Sequence, residues 1–172
     1  MKFLRLILAS LVLLISNNAL ALERLSQEQI KNLQKAYNYG KSKPFKVNGR
    51  LDSGYIMAAI MWQESSAGIN CGNSSNVVGP YQNLVTTVKS RMHQDGIKKS
   101  RSQIARELVN HNTSAHWANI EIKSWLDVHK GDISKALASY NAGWKVHKGA
   151  GYSRSVLRRA NYLKDNNILK VE

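Results

Sequence analysis

Apolar and polar positions divide the chain into a short apolar opening and a series of helical stretches. Phe3 to Ile15 is almost wholly apolar, broken only by Arg5 and Ser10. Lys2 and Arg5 make its start basic, and Ala19-Leu20-Ala21 follows it. The run is shorter than the ~20 residues that cross a bilayer as a helix. A basic start, a short apolar run and a small-x-small tripeptide are the marks of a cleaved secretory leader. The sequence thus predicts a leader over residues 1–21 and one domain over 22–172. The domain is expected to be exported, periplasmic or secreted, after cleavage near Ala21.

Beyond the leader the spacing is helical. Ser26 followed by Gln29 has the form of a capping box and predicts a helix from about Gln27 to Lys41. Residues 44–49 form a loop, after which Asp52 or Ser53 caps the next helix. In that helix Tyr55, Ile56, Ala58, Ala59, Ile60, Met61 and Trp62 leave no polar face, so it is expected to be central and buried. It stops near Gly68. Residues 68–80 hold Gly68, Gly72, Gly79 and Pro80 among Asn and Ser, a long loop with room for short strands. Helical spacing resumes at Leu84, Val85 and Val88. Thr113 is a candidate cap for a helix carrying Trp117, Ile120, Trp125 and Leu126, with Gly131 as its stop. Asp132 caps a helix with Ile133, Ala136, Leu137 and Tyr140 on one face, ended by Gly143. Ser153 is a candidate cap for a last helix with Val156, Leu157, Ala160 and Leu163. The expected fold is mainly α: one compact helical domain, a central buried helix and at most a very small β element.

Charge and cysteine content narrow the classes. The chain has 172 residues and a net charge of +14, of which the leader carries only Lys2 and Arg5. A strongly basic exported domain suits three polyanionic partners: nucleic acid, anionic membrane or acidic cell wall. Cys71 is the one cysteine. It can form no internal disulfide, so the domain must rest on its packed core. Asn70 and Gly72 flank it and no histidine is near, which gives a thiol nucleophile nothing to activate it. The five histidines show no metal-ligand spacing, and no phosphate loop or Ser-His-Asp order is present.

Glu64 is the first residue that points to chemistry. It ends the most apolar helix, just before the glycine-rich loop, where Ile60, Met61 and Trp62 would partly desolvate it. Desolvation favours the neutral acid and raises the pKa, as a proton donor to a glycosidic oxygen requires. The plainer reading is a solvated residue at a frayed helix end. No Asp or Glu occurs from Ser65 to Gln94. Two-carboxylate glycosidases need a second acid about 5–10 Å from the first. Asp52, Asp95, Asp127 and Asp132 are candidates, but each reads better as a cap or surface residue. The site therefore has the look of a single-carboxylate one. Ser139-Tyr140-Asn141-Ala142-Gly143 is a further candidate, a helix end where Tyr140 could offer its hydroxyl to a buried carboxylate. Its plainer reading is a core tyrosine at a helix C-terminus.

Together these pieces resemble the lysozyme-like lytic transglycosylases of the soluble-lytic-transglycosylase (SLT) type. Glu64-Ser65 matches that family's Glu-Ser pair at the end of a buried helix. Gly79-Pro80-Tyr81-Gln82 matches its Gly-x-x-Gln, with Pro80-Tyr81 where the family has Leu-Met. Ala136 to Gly143 resembles its Ala-x-x-Tyr-Asn-x-Gly, and Tyr152 to Leu157 its Tyr-x-x-x-Val-Leu. The resemblance spans residues 61–157. It implies cleavage of the β-1,4 bond between N-acetylmuramic acid (MurNAc) and N-acetylglucosamine (GlcNAc) in peptidoglycan, without water, to give a 1,6-anhydro end. It implies Glu64 as sole acid and base and Tyr140 as the hydroxyl that orients it. Ser65, Gln82 and Tyr81 would contact the sugar, and Asn141 and Tyr152 would shape the cleft. No metal or cofactor is implied. Peptidoglycan strands are the expected partner, and nucleic acid is not expected. A small exported domain of this kind also suits a local hole-maker for a secretion, conjugation or other envelope-spanning assembly. The basic stretch from about Lys89 to Asn110, with Arg91, Lys98, Lys99, Arg101 and Arg106, resembles an insertion. It reads as a solvated helix face or as a surface for anionic wall polymer or a partner protein. A muramidase on the same fold, a wall-binding module and a cationic protein that binds nucleic acid or disrupts membranes remain as rivals.

Overall fold

The computed structural model describes residues 25–47, 49–72, 74 and 76–171; the expected leader lies outside them. In chain order the elements are α1 (Gln27–Ser42), α2 (Ser53–Ser65), β1 (Val77–Val78), β2 (Asn83–Leu84), α3 (Val85–Gln94), α4 (Arg101–Leu108), α5 (His111–Val128), α6 (Ile133–Ala142) and α7 (Val146–Asp165). The strands form one antiparallel hairpin, with Val77 opposite Leu84 and Val78 opposite Asn83. The described residues thus form a mainly α domain with one small hairpin.

The caps explain where the first helices begin. The Ser26 hydroxyl accepts from the Gln29 N–H at 3.2 Å, and the Gln29 side chain accepts from the Ser26 N–H at 2.9 Å. This reciprocal pair satisfies two donors that a helix start leaves open. Asp52 caps α2 by accepting from the Tyr55 N–H. Ser53 instead donates to the Gly40 carbonyl of α1. The stretch from Ser53 to Met61 is buried without a break. α1 packs on one side of it and α7 on another. Burial of each large apolar side chain such as Ile56, Met57 or Ile60 contributes about 1.5–3 kcal/mol, which puts α2 at the centre.

Two cores result. The larger surrounds α2 and takes in Leu33, Tyr37, Leu137, Val156 and Leu163. The smaller joins the hairpin to α3, α4 and α5 through Val78, Val85, Val88, Met92, Ile104, Leu108 and Trp117. The basic stretch around residues 89–110 is therefore only partly a solvated face. Ile104 and Leu108 are fully buried, Lys99 pairs with Glu107, and Arg91 turns inward to Glu121.

Two helix starts differ from the sequence expectation. α5 begins at His111, because the Asn110 side chain accepts from the N–H groups of Asn112 and Thr113. Asn is a stronger cap than Thr and comes first, so Thr113 falls inside the first turn. α7 begins at Val146, and Ser153 lies buried within it. The helix runs through Gly149 and Gly151, and Gly149 serves close packing. A Cβ there would stand 2.0 Å from the Ala138 carbonyl oxygen of α6.

Gly149→Ala should therefore separate α6 from α7 and cost about 3 kcal/mol. Gly151→Ala, where a Cβ meets only the end of Arg154 at 4.0 Å, should be neutral or stabilising by up to ~1 kcal/mol. Urea unfolding of both variants measures the difference. Equal stability would refute the close-contact account.

Candidate active site

The site is organised around the turn that joins the two strands. Gly79 to Gln82 reverses the chain, with the Gln82 N–H donating to the Gly79 carbonyl at 2.9 Å. Gly79 has φ +85°, and a Cβ on it would stand 2.0 Å from the Leu108 carbonyl oxygen. Buried backbone polar groups need partners, and side chains from three helices supply them here. Ser65, at the end of α2, donates to the Pro80 carbonyl at 2.7 Å. Tyr140 of α6 donates to the Tyr81 carbonyl at 2.9 Å. Ser114 of α5 accepts from the Tyr81 N–H and donates to the Asn83 side chain. The Gln82 amide closes its own turn by donating to the Gly79 carbonyl at 2.8 Å.

Glu64 precedes Ser65 on α2. Its Oε1 accepts a 2.5 Å hydrogen bond from the Tyr152 hydroxyl of α7. Burial pushes the carboxyl pKa up from 4.5 to about 6, against the Tyr152 bond, which favours the carboxylate. Burial and the adjacent Glu64 hold the Tyr152 phenol well above its ordinary pKa, so it stays a donor. The rings of Tyr152 and Tyr140 stack at 6.3 Å with 18° between planes. Tyr140 thus buttresses Tyr152 while its hydroxyl holds the turn.

Beside Tyr140 opens a cleft of about 220 Å³ between the smaller core and α5–α6. Gln82, Asn83, Trp117, Tyr140 and Asn141 line it, together with a fixed triad. In that triad Arg91 of α3 pairs with Glu121 Oε2 at 2.7 Å. The Trp125 indole N–H donates to Glu121 Oε1 at 2.7 Å. Both carboxylate oxygens are occupied.

The sequence-predicted residues are placed unequally. Glu64 and Tyr152 meet, and Gln82 and Asn141 line the cleft. The hydroxyl on Glu64 is Tyr152's, not Tyr140's as the resemblance implied. Ser65 is buried and turned to the Pro80 carbonyl, with the Gly68 N–H donating to it. Tyr81 is fully buried. Both belong to the support of the site, and neither faces the cleft. Sequence reasoning passed over Arg91, Glu121 and Trp125 as cleft residues. Trp117, Glu121 and Trp125 recur every four residues, which puts them on one face of α5, and that pattern was the available signal.

With the fold and this geometry in hand, the chain belongs to the transglycosylase SLT domain family, whose model matches residues 45–162. That family indicates a peptidoglycan-cleaving transglycosylase. The chain is also 41% identical over 155 residues to an uncharacterized 20.7 kDa protein in the vs–regB intergenic region of Enterobacteria phage T4. The alignment covers 85% of this chain and 86% of that relative. No solved structure matches the chain.

The raised Glu64 pKa has a consequence for stability. A carboxyl whose folded pKa lies above its unfolded value favours the fold fully below the unfolded pKa. That contribution is lost as pH rises through the folded one, here from about 4.5 to about 6. Glu64→Gln removes the buried charge and keeps an acceptor for Tyr152. It should therefore stabilise the protein by ~2 kcal/mol at pH 8 and by little at pH 4. Urea unfolding at the two pH values tests this; a variant less stable than the wild type at pH 8 would contradict it.

Proposed function

We propose that this protein is a peptidoglycan lytic transglycosylase that cleaves the MurNAc–GlcNAc β-1,4 bond with Glu64 as sole acid and base. The observation that carries this reading is the desolvated Glu64 carboxyl held by Tyr152, whose ring stacks on Tyr140 of the cleft lining. With Oε1 engaged by Tyr152, Oε2 is the oxygen that transfers the proton. It protonates the glycosidic oxygen, and the bond from the MurNAc anomeric carbon to that oxygen breaks. The substrate's acetamido oxygen stabilises the anomeric carbon, in place of a second carboxylate. The MurNAc 6-hydroxyl oxygen then attacks that carbon, and its proton returns to Glu64. No water is consumed, and the product ends in 1,6-anhydro-MurNAc. A pKa of about 6 suits a group that must give and then take a proton near neutrality. The leader expected over residues 1–21 would deliver the domain to its substrate.

The hydrolytic alternative, a muramidase, needs a carboxylate free to activate water. Glu121 is the acidic residue lining the cleft, and Arg91 and Trp125 occupy both of its oxygens. This favours the anhydro route. Purified cell wall digested with the protein should give muropeptides one water lighter than hydrolytic products, read by mass spectrometry. Glu64→Gln should lower turnover at least ~100-fold while remaining folded. Ordinary reducing ends would mean a muramidase. Near-normal activity of Glu64→Gln would end the assignment of Glu64.

The pH profile tests the partner of Glu64. The proton donor must be protonated, so activity should fall as pH rises through about 6. Removing the Tyr152 hydroxyl takes away the bond that favours the carboxylate, so the Glu64 pKa rises. In Tyr152→Phe the falling limb should therefore move to higher pH. In Tyr140→Phe, whose hydroxyl bonds the Tyr81 carbonyl, it should stay in place. A limb shifted by Tyr140→Phe and unmoved by Tyr152→Phe would return the orienting role to Tyr140.

A further inference from the structure

Trp144 is the large aromatic side chain left most open to solvent among the described residues, at 76% exposure. It directly follows Gly143, which lines the cleft. An exposed indole offers a flat apolar face that can take a ligand ring. Its surroundings are built. Trp144 stands edge-on to Trp125, with ring centres 5.1 Å apart and planes at 80°. Trp125 is itself held from two sides. Its N–H is fixed by Glu121, Glu121 is fixed by Arg91, and the His129 ring stacks on the indole at 6.0 Å. His129 is anchored in turn by the Ser139 hydroxyl at 2.8 Å.

We propose that Trp144, buttressed by Trp125, is the stacking platform of a distal saccharide subsite, taking a sugar ring of the glycan strand other than the one at Glu64. The chemistry of the cleft favours a sugar over a peptide or a lipid. A pyranose ring offers an apolar face of C–H groups to an aromatic plane, while its hydroxyl and acetamido groups need hydrogen-bonding partners at the edge. Asn141 and Gln82 line the adjoining cleft, which Trp125 and Gly143 also line, and can supply them. The charged residues lining it, Arg91 and Glu121, neutralise each other, as suits an uncharged ring. An apolar chain would offer the two amides no hydrogen bond. The platform adds binding energy away from the reacting bond, which a polymer-cutting enzyme can use to position its substrate. The inference rests on the glycan-cleaving reading, and its test separates the two.

The test measures binding of peptide-free peptidoglycan glycan strands to the protein carrying Glu64→Gln, so that nothing is cut. Intrinsic tryptophan fluorescence and titration calorimetry are read together. Binding should shift the emission to the blue. Adding Trp144→Ala should abolish that shift and weaken binding about tenfold or more, the scale of one lost aromatic contact. Trp144→Phe should restore most of the affinity, because the ring survives. Since Trp144 is exposed, the variants should unfold at the denaturant concentration of their Glu64→Gln parent, which far-UV circular dichroism checks. Binding by Trp144→Ala within twofold of its parent would overturn the platform and leave Glu64 chemistry untouched. Strands bound tightly through Trp144 by a wild type that never cuts cell wall would keep the platform and overturn the catalytic reading. Absence of strand binding by the parent would overturn the platform outright.

Discussion

Everything at this site depends on satisfying the carbonyl groups of one buried turn. Gly79, Pro80 and Tyr81 are buried, so their backbone polar groups must find protein partners. Pro80 fits because it has no N–H to leave unpaired. Gly79 fits because the Leu108 carbonyl occupies the space a side chain would need. Ser65 and Tyr140 then reach in from two different helices to the Pro80 and Tyr81 carbonyls, and Ser114 reaches in from a third. The turn acts as a clamp on the ends of α2 and α6 and the start of α5. Since Ser65 is the residue after Glu64, the bond that satisfies Pro80 also fixes where the catalytic candidate points.

The same economy governs the electrostatics. Placing Glu64 at the end of an apolar helix raises its pKa, and at neutral pH that makes the folded state hold an unfavourable charge. The Tyr152 bond offsets part of that cost. Full compensation would return the carboxyl to its ordinary acidity and remove its capacity to donate a proton near neutrality. With burial outweighing one short hydrogen bond, the proposed reaction places Glu64 at a compromise between stability and proton transfer. Tyr140, stacked against Tyr152, limits the freedom of the phenol that sets this balance.

How much of this was legible in the sequence follows from which interactions are local. The α1 capping box, the Asp52 and Asp132 caps and the apolar girth of α2 are set within a few residues, and they appear where the pattern puts them. The desolvation of Glu64 was also legible, because it follows from the helix that carries it. Which hydroxyl reaches which acceptor was not. Tyr152 lies 88 residues from Glu64, and Tyr140 lies 59 from Tyr81. No periodicity encodes such pairings. Ser65 and Tyr81 have the character of sugar contacts only while the turn is imagined as a surface loop. Once its carbonyls are buried, Ser65 is needed inside and Tyr81 follows its backbone into the core. The start of α7 was missed for a related reason. Gly149 is a helix breaker by propensity, but the Ala138 carbonyl beside it demands a residue without a side chain, and tertiary packing overrides propensity.

The strong positive charge and the nearly neutral cleft then divide the work between two ranges. The cleft lining carries Arg91 and Glu121, which cancel, so its selectivity must come from amides and aromatic rings acting at contact distance. Net charge acts further out, over roughly the 8–10 Å that salt leaves unscreened. It concentrates a polyanionic matrix around the protein without distinguishing one ring from the next. A basic reading of the sequence alone cannot separate a wall enzyme from a nucleic-acid binder, because both need only the outer range. What separates them is the inner one. A cleft built to hold phosphates would spend its arginine on the ligand, and here the cleft arginine is spent on holding Glu121, which in turn holds Trp125. In the proposed reaction the charge brings the polymer near, and the clamp, the Glu64–Tyr152 pair and the aromatic wall decide what is done to it.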